Sequence, residues 1–155
     1  MVEIERKFLV TSNSYKDEAF KSTRIIQGFL NTHKERTVRV RLKGEKGFIT
    51  VKGASRNNGL SRFEWENELT KEEAEALLKL CEPGVIDKIR YEVKYGKHIF
   101  EVDEFYGDNN GLVIAEVELM TDNETFLRPN WLGEEVTGTI KYYNSQLSKK
   151  PFKTW

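Results

Sequence analysis

Charged and apolar residues alternate along eight segments of this chain, and this alternation limits the folds that it can adopt. Successive side chains of a strand point to opposite faces, so a period of two indicates strands. We predict strands near 2–10, 24–31, 36–43, 47–53, 61–69, 86–95, 98–105 and 112–119. Short turns join most of them, including one bracketed by Gly44 and Gly47 and one at 95–97. This order predicts an antiparallel sheet or barrel with helices outside it, within one α+β domain spanning 1–155.

Helix signals fall outside these strands. Thr70 and Glu73 form a capping-box pattern at the start of the segment TKEEAEALLKLC, which predicts a helix over 70–81. Thr121 and Glu124 repeat the pattern and predict a second, short helix. Two further helices are predicted over 12–20 and 138–148.

The strands carry charges of like sign two residues apart, on the same face of the strand. Such pairs repel one another across a sheet face. A solvated face of an amphipathic sheet is the plain alternative, but it would mix Thr, Ser, Gln, Lys and Glu. Bound partners of opposite sign would offset the repulsion within the pairs, which are Glu3 and Glu5, Arg39 and Arg41, Glu64 and Glu66, Lys88 and Arg90, Glu101 and Asp103, and Glu116 and Glu118.

The two kinds of pair favour different ligands. Carboxylate oxygens are hard ligands suited to Mg²⁺ or Mn²⁺, and clustered Arg and Lys bind phosphate oxygens. Both sets inside a closed barrel would form a site for a metal–polyphosphate complex, with apolar residues outside the barrel. The chain contains no G-x-x-x-x-G-K-[ST] segment, which excludes phosphate binding by a P-loop.

Composition excludes several other functions. Lys plus Arg equals Asp plus Glu at 25 each, so no net field attracts nucleic acid or a membrane. Cys81 has no partner for an internal disulfide, which favours a reducing compartment, and His33 and His98 form no zinc signature. The first residues lack a signal-peptide pattern and no apolar run reaches membrane-spanning length. We therefore expect a soluble cytoplasmic protein, and the sequence indicates no particular oligomeric state.

The charged strands together resemble the CYTH proteins, also called triphosphate tunnel metalloenzymes. EIERK at 3–7 fits their E-x-E-x-K signature, and the later strands follow in matching order from residue 3 to about 147. The tail, with WLGEEVT at 131–137 and KYYNSQL at 141–147, resembles stand-alone bacterial members that act on inorganic tripolyphosphate. The matching strands are VRVRL at 38–42, ITVKG at 49–53, SRFEWENEL at 61–69, DKIRY at 87–91, FEVDEF at 100–105 and AEVEL at 115–119.

The resemblance implies a closed eight-stranded antiparallel β-barrel that forms a tunnel, with helices packed outside. It implies divalent-metal-dependent hydrolysis of a triphosphate, with Mg²⁺ or Mn²⁺ as cofactor. The implied metal ligands are Glu3, Glu5, Asp103, Glu116 and Glu118, while Glu64 and Glu66 would position water or hold a second metal. The implied triphosphate-binding residues are Lys7, Arg39, Arg41, Lys52, Lys88 and Arg90, with Lys141 at one tunnel mouth.

Two positions depart from related bacterial sequences. Phe29 stands where many have tyrosine, and Lys141 keeps a charge but lacks the fork of the usual arginine. Inorganic tripolyphosphate ranks first as substrate. The alternatives are a nucleoside or thiamine triphosphatase, a class IV-type adenylate cyclase, or a non-catalytic sensor that binds polyphosphate or a nucleotide.

Overall fold

The computed structural model describes residues 2–155. Eight strands lie where the alternation predicts them, although β2 begins three residues earlier than expected. No helix in the described chain is long and apolar enough to cross a bilayer. The strands are β1 Val2–Val10, β2 Lys21–Asn31, β3 Arg36–Lys43, β4 Lys46–Gly53, β5 Ser61–Leu69, β6 Ile86–Tyr95, β7 His98–Phe105, β8 Val113–Glu118 and β9 Leu132–Glu135.

Eight of these strands close into an antiparallel barrel, as predicted. The order around it is β5-β4-β3-β2-β6-β7-β8-β1, and β1 pairs back onto β5. Two consecutive pairs of these eight strands are not neighbours in the ring: β1 does not pair with β2, and β5 does not pair with β6. Instead β6 pairs with β2, and β5 has β4 on one side and β1 on the other. The ninth strand, β9, lies outside the eight-stranded ring and was not predicted from the sequence.

Strand β1 completes the barrel wall. One edge of it pairs with β8 over Glu5–Leu9. The opposite edge pairs first with β5 over Val2–Ile4 and then with β9 from Phe8 to Val10. Between these two pairings the backbone of Lys7 bonds to the segment after β9: its N–H donates to Thr137 Oγ1 at 2.9 Å, and its carbonyl accepts from Val136 at 2.8 Å.

The outward face of β1, β6, β7 and β8 is apolar and forms the main core. Phe8, Phe100 and Val117 pack there against Trp131 and against Tyr15 of α1 (Tyr15–Glu18), all of them 2% exposed or less. The face of β4 and β5 is less covered, since Phe63 and Trp65 are more than two-fifths exposed. Helices therefore cover only part of the barrel.

One helix prediction is confirmed at its start, although the helix ends at Leu78 and not at Cys81. The capping box opens α2 (Lys71–Leu78), because the Thr70 hydroxyl accepts from the Glu73 backbone and the Glu73 carboxylate accepts from the Thr70 backbone. This helix packs beside β4, where a side chain on Gly47 would lie 2.6 Å from Ala74 Cβ. The absence of a side chain at Gly47 therefore allows the close approach.

The other helix predictions need correction. No helix of residues 2–155 begins at Thr121, because the Glu124 carboxylate accepts from the Met120 backbone and contacts His98 instead of capping a turn. The 12–20 helix shrinks to α1. The 138–148 helix is broken at Tyr143, whose backbone is extended, into a 3-10 turn at Ile140–Tyr142 and α3 (Asn144–Leu147).

One end of the barrel interior is apolar. Inward-facing Phe29, Ile86, Phe105 and Ile114 pack there with Leu147 of α3 in a second core cluster. The charged inward positions of the same strands, such as Lys88 two residues after Ile86, lie further along the barrel. The segment that includes α3 therefore helps to close the apolar end of the barrel, and the charged part of the interior begins next to this end.

Candidate functional site: a charged cavity inside the barrel

The barrel encloses a cavity of about 260 Å³. A cavity needs only about 10–15 Å³ to admit one water, so this one has room for a small anion together with ions or waters. Seven carboxylates and eight cationic side chains line it: Glu3, Glu5, Glu64, Glu66, Glu101, Glu116 and Glu118, and Lys7, Arg39, Arg41, Lys43, Lys52, Arg62, Lys88 and Arg90.

The two signs are separated around the barrel. Strands β7, β8, β1 and β5 are consecutive in the ring and carry all seven carboxylates, which we call the acidic arc. Strands β4, β3, β2 and β6 complete the ring and carry six of the eight cations, which we call the basic arc. Among these lining residues, the two exceptions are Lys7 on β1 and Arg62 on β5. The cavity therefore offers cations along one wall and carboxylates along the other.

Carboxylates crowd one another in the acidic arc. Burial and the neighbouring charges of Glu116 and Glu3 raise the pKa of Glu5 well above its ordinary value. The pKa of Glu118 is raised in the same direction by burial, Glu3 and Glu101. The pKa of Glu116, by contrast, is lowered to about 2. Burial alone would raise this pKa, but two contacts outweigh burial: the charge of Lys7, whose Nζ lies 3.9 Å away, and a hydrogen bond with Glu5. This wall lacks enough positive charge for its carboxylates.

The acidic and basic arcs meet at Lys52. Its Nζ lies 2.8 Å from Glu3 Oε1 and 3.3 Å from Glu64 Oε2. Glu66, two residues on, accepts a 2.8 Å hydrogen bond from Thr50 and lies 3.6 Å from Arg39. Both predicted catalytic carboxylates of β5 therefore line the cavity beside cations.

Part of the basic arc, at Arg41, carries positive charge without a matching carboxylate. Arg41 is 9% exposed and donates from Nε to Gln27 Oε1 at 2.9 Å, and no carboxylate of residues 2–155 lies within salt-bridge distance of it. Burial, with Arg39 and Arg90 nearby, lowers its pKa to about 9. Arg39 Nε is buried without a hydrogen-bond partner among the described residues. Buried cations that repel one another favour a bound anion.

Asp103 is 2% exposed and contacts two cations of the basic arc, Arg90 and Lys88. Its two oxygens accept from Arg90 at 2.7 and 2.8 Å, and Lys88 Nζ lies 2.8 Å from Oδ2. Burial opposes ionisation, but Arg90 and Lys88 hold the pKa of Asp103 well below its usual range. Burial lowers the pKa of Lys88 to about 7. In this geometry Asp103 positions two cations, and its predicted role as a metal ligand stays a prediction.

Two predicted site residues lie outside the cavity lining. Asp103 is one of them. Lys141 is exposed and places its Nζ 4.5 Å from the ring centroid of Trp155, so its role in substrate binding also stays a prediction. The other predicted residues all line the cavity.

The cavity also contains residues that the sequence reasoning did not assign to the site. Glu101 lines it and lies 3.3 Å from Arg90, and its position on the same strand face as Asp103 was the available signal. Lys43 and Arg62 follow the same alternation on β3 and β5. Asn144, which lines the cavity from α3, belongs to no strand and had no such signal.

The acidic arc fits a hydrated divalent cation. Mg²⁺ keeps several waters and is held through one or two carboxylates together with substrate phosphates. Within residues 2–155 no three His, Cys, Asp or Glu side chains already converge on one point, but Glu5 and Glu116 lie close enough to share a hydrogen bond. Glu5 and Glu116 would offer such an ion two hard carboxylate oxygens, and the ion would supply the positive charge that these carboxylates lack.

The closed barrel and its divided interior define a tunnel-like barrel protein whose cavity has one cationic wall and one acidic wall. The chain belongs to the CYTH domain family, whose model matches residues 1–150. An inorganic triphosphatase of Acetivibrio thermocellus is 47% identical to it over 154 residues, which are 99% of this chain and 97% of that protein. An inorganic triphosphatase of Nitrosomonas europaea is 35% identical over 152 residues, or 96% of this chain and 97% of that one.

The fold agrees with these relatives. A crystal structure of an inorganic triphosphatase superposes with a TM-score of 0.67 at 32% identity, covering 94% of this chain and 93% of that chain. A Pyrococcus horikoshii protein superposes with a TM-score of 0.63 at 24% identity over 78% of this chain and 80% of that one. The second likeness concerns the fold alone.

Proposed function

We propose that this chain hydrolyses inorganic tripolyphosphate to pyrophosphate and phosphate. The observation that carries the proposal is the unmatched positive charge of Arg41 and the unpartnered Nε of Arg39, on a wall that faces crowded carboxylates. Two relatives at 47% and 35% identity over nearly their full length are inorganic triphosphatases, which supports this substrate. A linear anion with three phosphates would contact the cationic wall directly and the carboxylate wall through a bound metal ion.

The basic arc would bind and orient the substrate. Arg39 and Arg41 can each present a guanidinium fork to phosphate oxygens, and Lys88 and Arg90 are already fixed by Asp103. Fixed donors need little rearrangement as charge shifts toward the leaving pyrophosphate, so they favour the transition state. Substrate oxygens would also raise the lowered pKa values of Arg41 and Lys88, because they add negative charge nearby.

We propose Mg²⁺ or Mn²⁺ as the cofactor. Glu5 and Glu116 would hold it, with Glu3 and Glu118 close by on the same strands. When bound, the ion supplies neutralisation of phosphate charge and polarises the bond that breaks. Supplying this charge would also relieve the repulsion that now raises the pKa of Glu5.

Glu64 or Glu66 would position the attacking water. The water oxygen forms a bond to a terminal phosphorus, the P–O bond to the departing pyrophosphate breaks, and the water proton passes to a carboxylate or to phosphate oxygens. Burial and the neighbouring Glu3 raise the pKa of Glu64, which improves its match to a proton acceptor near neutral pH. Glu66 is held by Thr50 at 2.8 Å.

The test is phosphate release from tripolyphosphate and from ATP, with Mg²⁺, with Mn²⁺ and with chelator. We expect metal-dependent turnover of tripolyphosphate that exceeds turnover of ATP, and loss of turnover in Glu5→Gln. Glu68→Gln is the matched control, because Glu68 lies on the same strand face as Glu66 but outside the cavity lining. Faster ATP hydrolysis would move the assignment to a nucleotide enzyme, and binding without release would favour a sensor.

We also propose that the enzyme works in the cytoplasm and binds neither nucleic acid nor membrane. The single Cys81, partly exposed, supports a reducing compartment. The equal numbers of acidic and basic residues support the lack of a nucleic-acid or membrane surface.

A further inference from the structure

A continuous chain of hydrogen bonds joins the basic arc to α3. Arg41 Nε donates to Gln27 Oε1 at 2.9 Å, and Gln27 Nε2 donates to Asn144 Oδ1 at 2.7 Å. Lys88 Nζ donates to the same Asn144 oxygen at 2.9 Å and lies 2.8 Å from Asp103. Asn144 is therefore the point at which the segment closing the barrel contacts Lys88 directly and is linked to Arg41 through Gln27.

The cations at its two ends fix the direction of this chain. Arg41 can only donate, so the Gln27 atom facing it must be the oxygen, which turns Gln27 Nε2 toward Asn144. Lys88 also can only donate, so the Asn144 atom facing both groups must be Oδ1. The orientation of both amides follows from the donors around them.

With Asn144 Oδ1 accepting both hydrogen bonds, the two N–H groups of Asn144 Nδ2 remain available to donate to another partner. In residues 2–155 this nitrogen makes no hydrogen bond, and it is not one of the buried unpartnered atoms, which are Arg39 Nε and Glu92 Oε2. Asn144 lines the cavity, and from this we infer that its free nitrogen faces the cavity. Gln27, by contrast, is fully buried, and both ends of its amide are engaged.

We propose that Asn144 Nδ2 donates a hydrogen bond to a phosphate oxygen of the bound triphosphate, and that Gln27 is the residue that positions it. This inference rests on the proposed function, since it assigns a further contact in the same site. The choice of side chain supports it. An aspartate at this position would pair more strongly with the buried cation Lys88, but it would replace two donors with an anionic oxygen facing the substrate.

Asn144→Asp separates a substrate contact from a structural role. The aspartate keeps an oxygen for Lys88 and for Gln27, so the melting temperature without ligand should not fall. The Kd for tripolyphosphate, measured by calorimetry with a chelator present, should rise about 10- to 100-fold. This change corresponds to the loss of one hydrogen bond to a charged group. Unchanged binding would overturn the proposal.

Two further variants complete the design. Gln146→Glu adds the same charge two residues along α3 but outside the cavity lining, so it should bind tripolyphosphate as wild type does. An equal loss in Gln146→Glu would mean that charge alone explains the effect, and would overturn the proposal. Gln27→Glu keeps an acceptor for Arg41 but removes the donor to Asn144, so KM should rise while kcat changes little.

The outcomes for the inference and for the proposed function differ. Wild-type binding of tripolyphosphate without hydrolysis would refute the triphosphatase function, while the Asn144→Asp binding comparison would still decide the contact. Wild-type hydrolysis with unchanged Asn144→Asp binding would refute the contact alone. No binding of tripolyphosphate by the wild type, either with chelator or with Mg²⁺, would refute both.

Discussion

Replacing Asp103 with asparagine should destabilise this protein strongly, even without metal or substrate. The carboxylate is 2% exposed and is the shared partner of Arg90 and Lys88, with three contacts between 2.7 and 2.8 Å. A neutral amide in its place would leave buried Lys88 without its nearest counter-charge and Arg90 with only Glu101, 3.3 Å away. Removing one partner of a buried ion pair costs about 3–5 kcal/mol of unfolding free energy.

The measurement is urea unfolding in chelator, together with a thermal melt. For a chain of this size, each kcal/mol shifts the melting temperature by about 2–4 °C, so Asp103→Asn should lower it by about 6–20 °C. Asp87→Asn is the matched control. Asp87 pairs with Arg24 through the same two-point geometry, at 3.1 and 2.7 Å, but on an exposed surface, and its replacement should cause no measurable change.

The result also separates two roles for Asp103. If it positions the cations, the loss of stability appears in chelator and persists with Mg²⁺. If it is chiefly a metal ligand, as the family resemblance implies, the variant should match wild type in chelator and lose only the stabilisation that added metal provides. A loss below about 1 kcal/mol in chelator would refute the positioning role.

Three further predictions concern other parts of the fold. Gly138→Ala should lower the free energy of unfolding by at least about 2 kcal/mol, measured by urea unfolding. Gly138 has φ +76°, and an added Cβ would lie 2.1 Å from the Asn58 carbonyl oxygen. An unchanged free energy of unfolding would show that the backbone near Asn58 can move to accommodate the added Cβ. Thr70→Ala should cost about 1 kcal/mol by loss of the capping box, and an unchanged midpoint would contradict this. Burial opposes ionisation of Glu104, but hydrogen bonds led by Tyr15 lower its pKa below 4.5, so its contribution is present above that pH and is lost as pH falls through the lowered value. The stability gap between wild type and Glu104→Gln should therefore narrow in acid, and a gap independent of pH would refute the assignment.

The sequence predicted the strands and their faces because alternation is a local property. Thr70 likewise predicted its helix start because the capping partner lies only three residues away. Thr121 carried the same local signal and failed, since Glu124 contacts His98, a residue 26 positions away that no local pattern reveals. Local signals decide an element only when no distant partner competes for the same side chain.

The division of the cavity into two arcs was not predictable from the strands alone. It depends on the pairing of β2 with β6 and of β1 with both β5 and β8, which join segments far apart in sequence. The family resemblance supplied a residue set, but not the burial of Asp103 or the exposed position of Lys141. Gln27 and Asn144 are uncharged, and Asn144 lies in no strand, so only the folded chain brings them together.

The pairings of β1 have a consequence for the order of folding. The basic arc is built largely within the local meander β2–β3–β4, whereas the acidic arc requires β1 to reach β5 and β8, as in the pairs Val2 with Phe63 and Glu5 with Glu118. Closing such long loops is slow compared with forming hairpins. We therefore expect the cationic wall to form first in a refolding chain and to carry unbalanced positive charge until β1 docks. Polyphosphate added during refolding would then act as a template that speeds the last step, before any metal ion has a place to bind.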